Sequence, residues 1–262
     1  MFKKIKYKIA QKFQLSKKYS DKKQLLSLIK SLRPLQTRQG LIRLGGKGDG
    51  GYLVPNDLKG ISACFSPGVG PVIQFEKECA AKGMKVFMAD ASVKKPHFTE
   101  ANMNFINKYI GKENKDEFIK LEDWVSNQGF DDKDEFILQM DIEGAEYEII
   151  QDIKPNFLKK FRIIVVEFHH LDRLNQNEFF RQASLAFSKI LKTHKCVHIH
   201  PNNCRPEFDI FGIKVPKLLE FTFYRNDKLE NNAKFTTLPH FLDSNNTSNN
   251  TLNISEIWYK DI

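Results

Sequence analysis

The chain has 262 residues and 30.5 kDa, with 41 Lys+Arg against 32 Asp+Glu, 41% hydrophobic and 12% aromatic residues. That length holds one large α/β domain or two small ones, and the composition excludes a wholly disordered chain and a fibrous repeat. Of the net charge of +9, residues 1–23 carry +8 (nine Lys, one Asp). The remainder is nearly neutral, which disfavours a nucleic-acid enzyme, whose basic surface should surround its site.

No run reaches the ~18 apolar residues of a membrane span, and the start lacks the apolar run of a secretory signal, so a cytoplasmic location is expected. Cys64, Cys79, Cys196 and Cys204 show no C-x-x-C spacing, which predicts reduced thiols rather than a disulfide framework or a zinc cluster.

From Phe2 to Phe13 the apolar residues Phe2, Ile5, Ile9 and Phe13 recur at helical steps between Lys3, Lys4, Lys6, Lys8 and Lys12. The spacing predicts a basic amphipathic helix whose apolar stripe needs a covering surface. Its own domain or a second subunit leads, with peripheral membrane contact through residues 1–23 and nucleic acid as alternatives. The subunit contact implies a homo-oligomer. A second pattern, Leu25, Leu26, Leu28, Ile29 and Leu32, predicts a helix that stops before Pro34. Residues 1–40 therefore read as a basic helical N-terminal extension and residues 41–262 as the main domain.

After residue 40 short runs rich in Val, Ile and Phe alternate with helical stretches, the α/β pattern. Strands are expected near Ser62–Phe65, Val86–Ala89, Phe136–Met140, Ile163–Phe168, Val197–His200 and Leu218–Tyr224, with a weaker one at Phe118–Leu121. Helices are expected over Ile73–Ala81, Phe98–Tyr109, Tyr147–Ile153 and Phe179–Lys192. The run IIVVEF, apolar on both faces, suits a strand covered on each side. Residues 244–253, nearly all Asn, Ser and Thr, read as a surface loop.

Chemistry concentrates at the strand ends. Ala63-Cys64-Phe65 runs into Ser66-Pro67-Gly68-Val69-Gly70 and a helix, and the next strand ends in Asp90. Glycines there allow close backbone approach to a ligand, and a carboxylate after the second strand suits the two hydroxyls of a ribose. The absence of a third glycine, and of G-x-x-x-x-G-K-[ST], makes NAD and ATP less favoured. A further strand delivers Asp141 and Glu143 into a glycine-broken turn, the next delivers Glu167, His169 and His170, and a third ends in His198, His200, Asn202 and Asn203. Ligands of open α/β sheets bind at such an edge. Ahead of them the glycine-rich stretch Gly45–Tyr52 offers Lys47 for a carboxylate or phosphate and Asp49 for an ammonium group; a plain hairpin turn is the alternative.

The segments RLGGKGDGGYLVPNDL, FSPGVG, MADAS, QMDIEGAEYEII, VVEFHHLDR and HIHPNNC together resemble the FkbM-type branch of class I S-adenosylmethionine-dependent methyltransferases, from about residue 41 to the end. The resemblance implies a Rossmann-like α/β class I methyltransferase fold: a mostly parallel seven-stranded sheet with helices on both faces. It implies S-adenosylmethionine as cofactor, with Gly68 and Gly70 facing its methionine portion and Asp90 its ribose. Ser66, Pro67, Lys47, Asp49 and Asp141 join the expected cofactor-binding set. It also implies O-methylation of a sugar or another hydroxylated small molecule, including a nucleotide-linked sugar of a surface polysaccharide.

Transfer to an alcohol needs a base for the hydroxyl proton. His169 and His200, nearest the strand ends, are the candidates, with Asp141 and Glu167 beside them in the catalytic set. Glu143, His170, Asn202 and Asn203 are expected to touch the acceptor. Asp141 with Glu167 could begin a divalent-metal site, but a histidine-rich rim is unusual for magnesium, so a metal is left open and not favoured. A nucleic-acid methyltransferase and a non-catalytic binding or scaffold protein on the same fold are the alternatives.

Overall fold

The computed structural model describes residues 20–230, 233 and 237–260, so the lysine-rich helix expected over residues 2–13 lies outside the described residues. Among the described residues, no helix is long and apolar enough to cross a membrane.

Helix α1 (Lys22–Ser31) is started by a reciprocal cap. Asp21 Oδ1 accepts from Gln24 N at 2.7 Å, and Gln24 Oε1 accepts from Asp21 N at 3.1 Å. Its apolar face, Leu25, Leu28 and Ile29, is buried in the larger hydrophobic cluster of the molecule, so residues 22–32 pack with the main domain. A hairpin follows, β1 (Leu41–Leu44) and β2 (Tyr52–Pro55), joined by the glycine-rich loop.

The central sheet then begins with β3 (Ile61–Pro67), followed by α2 (Gln74–Ala81), β4 (Lys85–Ala89) and β5 (Met103–Ile106). Outside it lie β6 (Tyr109–Gly111) and β7 (Phe118–Lys120), a parallel pair of their own. After α3 (Leu121–Ser126) come β8 (Glu135–Met140), α4 (Glu146–Asp152), α5 (Pro155–Leu158) and β9 (Phe161–Phe168). The chain continues through α6 (Asn177–Leu191), β10 (His194–Pro201), a second hairpin of β11 (Glu207–Ile210) and β12 (Ile213–Pro216), and β13 (Leu219–Arg225).

The seven-stranded order is β10-β13-β9-β8-β3-β4-β5. All neighbours are parallel except those of β13, which pairs antiparallel with both β9 and β10. This mostly parallel α/β sheet is compatible with a methyltransferase fold. Because β10 runs parallel to β9, the carboxyl ends of β3, β4, β8, β9 and β10 share one edge.

Alternation along the strands divides the core in two. Phe65, Leu138, Val166 and Phe221 face the cluster formed with α1, α3, α4 and α6, while Cys64, Ile137, Val165 and Tyr224 face α2 and the first hairpin. One face is thus covered partly by a β-hairpin rather than by helices alone. All eight residues of β9 are buried, as IIVVEF requires, and the four cysteines are free thiols.

One expectation fails outright. Phe98–Tyr109 is not a helix: Met103–Ile106 forms the edge strand beside β4. Short apolar runs carry no decisive period, and on an edge strand only Met103 is buried, so the spacing mimics one helical face. The weaker strand near Phe118 exists but pairs with β6 outside the sheet; β5 is the seventh member.

At the amino end of the sheet the charges are closed on themselves. Arg162, 5% exposed, donates from Nη1 to Asp57 and to the Lys59 carbonyl, and its Nε and Nη2 meet Glu135, which Arg225 also reaches. These guanidinium partners overcome the effect of burial and hold the Glu135 carboxyl below its ordinary value.

Candidate active site

At the carboxyl edge the loop after β3 is fixed by backbone: Gly68 N donates to the Ala89 carbonyl at 2.9 Å and Asp141 N to the Pro67 carbonyl at 3.2 Å. Gly68 has φ +86°, and a Cβ on it would lie 1.6 Å from the Asp141 carbonyl oxygen. Only glycine lets β3 pass so close to the end of β8. A Cβ on Gly70 would meet nothing within 4 Å, so this second glycine borders open space. At the end of β4, Asp90 is 8% exposed and its Oδ1 accepts from Ser92 N and Ser92 Oγ, both at 2.6 Å. Among the described residues Oδ2 has no such partner. Gly70, bordering open space, and Asp90, with one carboxylate oxygen to offer, thus stand at the ends of two adjacent strands.

The Ser66 side chain does not share in this. It is fully buried, with its Oγ 2.6 Å from both Glu76 Oε1 and Gln139 Oε1, and Gln139 Nε2 donates to the Tyr52 hydroxyl at 3.1 Å. One hydroxyl hydrogen serves one acceptor, so a protonated Glu76 completes the network, in line with burial raising that carboxyl. As a cofactor contact, Ser66 is corrected to an interior hydrogen-bonding residue on its side-chain side.

The DIEGAE turn builds the next element. Glu143 (φ 57°) and Gly144 (φ 104°) take left-handed conformations, and so does His170 (φ 64°), whose ring packs over the bare Cα of Gly144. This bend brings Glu146, fully buried, back beneath the turn: its Oε1 accepts from Ile142 N at 3.3 Å and Gly144 N at 3.0 Å and lies 3.0 Å from His169 Nδ1. The carboxylate therefore fixes the imidazole, which points Nε2 at Asp141 Oδ1 (3.7 Å), Glu143 Oε2 (3.7 Å) and Glu167 Oε1 (3.8 Å).

Glu167 is held in turn by Asn202 Nδ2, at 3.3 and 3.1 Å from its two oxygens, and Asn202 Oδ1 accepts from Cys204 N. Burial and the nearby Glu220 push the Glu167 carboxyl up to about 8, with His169 and Asn202 opposing. Burial and Glu167 raise Asp141 well above its ordinary value. For His169 burial works downward, but the Glu146 hydrogen bond and the surrounding carboxylates prevail and raise it to about 9. With Nδ1 held by Glu146, His169 offers only Nε2 to the cluster.

The antiparallel β13 supplies what sequence order conceals. Its Glu220 is paired in register with Glu167 of β9 on one side and His200 of β10 on the other, so the three side chains form a row on one face. Burial lifts Glu220 to about 7, against His200 and the Asn246 hydrogen bond. Asn246 Nδ2 donates to Glu220 at 2.6 Å and lies 3.3 Å from Asp49, which brings the tip of the glycine-rich loop over this row. Arg43 shapes that loop by donating to the carbonyls of Gly46 and Gly48. Asp243 Oδ1 sits 3.0 Å from His198 Nε2 and 3.7 Å from His200 Nδ1. Burial would raise Asp243, but the two imidazoles hold it well below the usual carboxylate range. His200 is moved upward, since Asp243 and Glu220 outweigh its burial.

Asp141, Glu143, Glu167, His169, His170 and Asn202 thus come together, and His200 stands in the adjoining row. Lys47 and Asp49 are exposed on the hairpin loop. Asn203 is a correction: its amide accepts from Thr247 N and Oγ1 and donates to the carbonyls of Thr247 and Asn249, so it fastens the 247–249 loop and has nothing left for an acceptor. Sequence reasoning missed Glu146, Glu220, Asp243, Asn246 and Arg43. Glu220 had a signal, a carboxylate inside the apolar run LEFTFY; Asn246 had none, because its Asn-rich surroundings read as surface.

No protein of curated function matches this chain. Residues 69–194 match the methyltransferase FkbM domain, a stretch that opens in the β3–α2 loop, spans Asp90, the DIEGAE turn and the Glu167–His169 strand end, and stops as β10 begins. The match, which covers just under half of the chain, supports a methyltransferase.

Proposed function

We propose that the protein is an S-adenosylmethionine-dependent O-methyltransferase acting on a hydroxyl of a sugar, nucleotide-linked or free. The observation that carries the reading is the adjacency of two features on one sheet edge: the open glycine loop with Asp90, and a row of carboxylate, imidazole and amide groups suited to a hydroxyl-rich acceptor. S-adenosylmethionine supplies an electrophilic methyl group, which the acceptor oxygen takes as the carbon–sulfur bond breaks and sulfur keeps the electron pair.

The residues of the chain do the rest. Gly68 and Gly70 give the loop its close approach, and Asp90 Oδ2 accepts from ribose hydroxyls. Glu167, Glu143 and His170 bind and orient the acceptor. His200 takes the hydroxyl proton at Nε2, a buried atom with no hydrogen-bond partner among the described residues that the bound acceptor would reach, while Asp243 steadies the charge that results. Asp243 and Glu220 beside the ring favour its protonated form and so stabilise the imidazolium left by proton transfer.

The test is incubation of the full chain with methyl-labelled S-adenosylmethionine and a panel of sugars and nucleotide sugars, read by mass spectrometry. A single methylated sugar and S-adenosylhomocysteine are expected in equal amounts. Label transferred to RNA or DNA instead would replace this reading, and binding of S-adenosylhomocysteine with no transfer to any acceptor would favour a binding role.

A further inference from the structure

We propose that Asp141 Oδ1, Glu167 Oε1 and His169 Nε2 form a binding site for one divalent first-row cation of the Mn²⁺ or Zn²⁺ kind. The three ligand atoms come from the ends of two adjacent strands and lie within 4.8 Å of one another, a separation that small side-chain rotations around a common ion can close.

Three observations point to an ion rather than to a merely acidic corner. Asp141 Oδ1 is shut off from solvent and accepts no hydrogen bond among the described residues, so a fully formed acceptor faces into the cluster without a donor. His169, 6% exposed, has Nδ1 tied to Glu146 and Nε2 directed into the same space, with no hydrogen-bond partner nearer than the carboxylates 3.7 Å away. This carboxylate–imidazole relay is how proteins orient a metal-binding histidine, and Glu146 is held for the task by two backbone N–H groups. Glu167 is fixed by Asn202, which leaves its other lone pairs for the ion.

The charge balance of the two sheet edges agrees. At the amino end Glu135 and Asp57 are closed by Arg162 and Arg225; at the carboxyl end Asp141, Glu143, Glu146 and Glu167 gather around the His169 imidazole with no Lys or Arg in salt-bridge contact among the described residues. One nitrogen and two carboxylate ligands match a borderline cation better than Mg²⁺ or Ca²⁺, which favour all-oxygen sets. Three protein ligands leave coordination positions for water or for an acceptor hydroxyl, whose proton the ion would make easier to remove. That role rests on the O-methyltransferase reading; the binding itself does not.

The experiment uses the chelator-stripped full chain titrated with Mn²⁺ by electron paramagnetic resonance and with Zn²⁺ by calorimetry. One ion per chain is expected, and pulsed resonance of the wild-type Mn²⁺ complex should show a nitrogen coupling from His169. Asp141→Asn and His169→Gln should each weaken binding about tenfold or more, and Glu146→Gln, which touches no ion, about 10–100-fold at an unchanged thermal midpoint. Glu76→Gln, a buried carboxyl outside the cluster, should leave affinity within about twofold. Absence of a saturable site for both ions, a Mn²⁺ signal without nitrogen coupling, or affinities that Asp141→Asn and His169→Gln leave unchanged would overturn the proposal. Metal binding without methyl transfer would reject the enzymatic reading alone, and methyl transfer undiminished by the chelator, with no ion bound, would reject the metal alone.

Discussion

Gly68 and Gly70, two residues apart in one loop, should respond in opposite ways to the same substitution. Alanine at position 68 would have to hold φ near +86°, where a Cβ costs about 1–2 kcal/mol. The added carbon would also stand 1.6 Å from the Asp141 carbonyl oxygen and 2.5 Å from its carbon. Both are backbone atoms that cannot swing aside, so β3 and the end of β8 must part, at a further cost of about 1–3 kcal/mol. Together these give roughly 2–5 kcal/mol, and at about 2–4 °C per kcal/mol for a chain near this size the melting midpoint should fall by roughly 4–20 °C. Gly70→Ala meets open space and should leave stability within about 0.5 kcal/mol. If the space beside Gly70 is where the cofactor lies, that variant should bind S-adenosylhomocysteine about tenfold or more weakly, the equivalent of about 1.4 kcal/mol. Differential scanning fluorimetry reads the first effect and calorimetry the second. A Gly68→Ala protein that melts with the wild type would refute the packing argument, and full affinity in Gly70→Ala would move the cofactor elsewhere.

Asp90→Ala should weaken S-adenosylhomocysteine through loss of ribose hydrogen bonds, and calorimetry showing unchanged affinity would remove Asp90 from the cofactor set. His200→Gln should lower kcat about 10²–10⁴-fold while cofactor affinity stays level, and a parallel loss of both would assign His200 to folding or binding instead. At the other end of the sheet, Arg162→Met leaves Glu135 to Arg225 and Asp57 to the Tyr224 hydroxyl, and should cost about 1–3 kcal/mol in urea denaturation; a loss under ~0.5 kcal/mol would mean that these partners and water replace the guanidinium.

The sheet was legible where strands are long and buried on both faces. FRIIVVEF and EFILQM can be nothing else, and the turn residues that follow them carry the chemistry to the ligand edge. Met103–Ile106 was not legible, because one strand of an edge pair exposes half its residues and its period is lost within four positions. The site divides along the same line. Asp141, Glu167, His169 and His200 end strands, where topology alone predicts convergence. Glu220 could not be assigned, because its place depends on β13 entering antiparallel between β9 and β10, a pairing that no local pattern in LEFTFYR specifies. Asn246 reaches the row from a segment whose composition reads as solvent-facing, and the hydrogen bonds of Asn203 and Glu220, with the contacts of Asp243 to His198 and His200 just ahead of it, hold that segment inward.

Histidines show most plainly how burial alone fails to separate chemistry from architecture. His194 and His200 lie on the same strand and both are buried, yet their nitrogens differ in commitment. His194 Nε2 donates to the Phe161 carbonyl at 2.8 Å and its Nδ1 lies 2.8 Å from Thr193 Oγ1, so the neutral ring is satisfied on both sides and serves to tie β10 to β9. Burial lowers it to about 4; the Phe161 carbonyl and Asp227 pull upward and Arg225 downward. The sign of its effect on stability follows. Between about pH 6.5, its unfolded value, and pH 4 the unfolded chain binds a proton that the folded chain refuses, so the contribution is fully present above pH 6.5 and lost on acidification. A shift of that size is worth about 3 kcal/mol. His194→Gln should therefore be less stable than the wild type at pH 7.5 and close most of that gap by pH 4.5, as read from urea midpoints at both pH values. A gap that stays constant with pH would show that His194 takes up its proton alike in the folded and unfolded chain, and would overturn the argument that burial keeps the ring neutral.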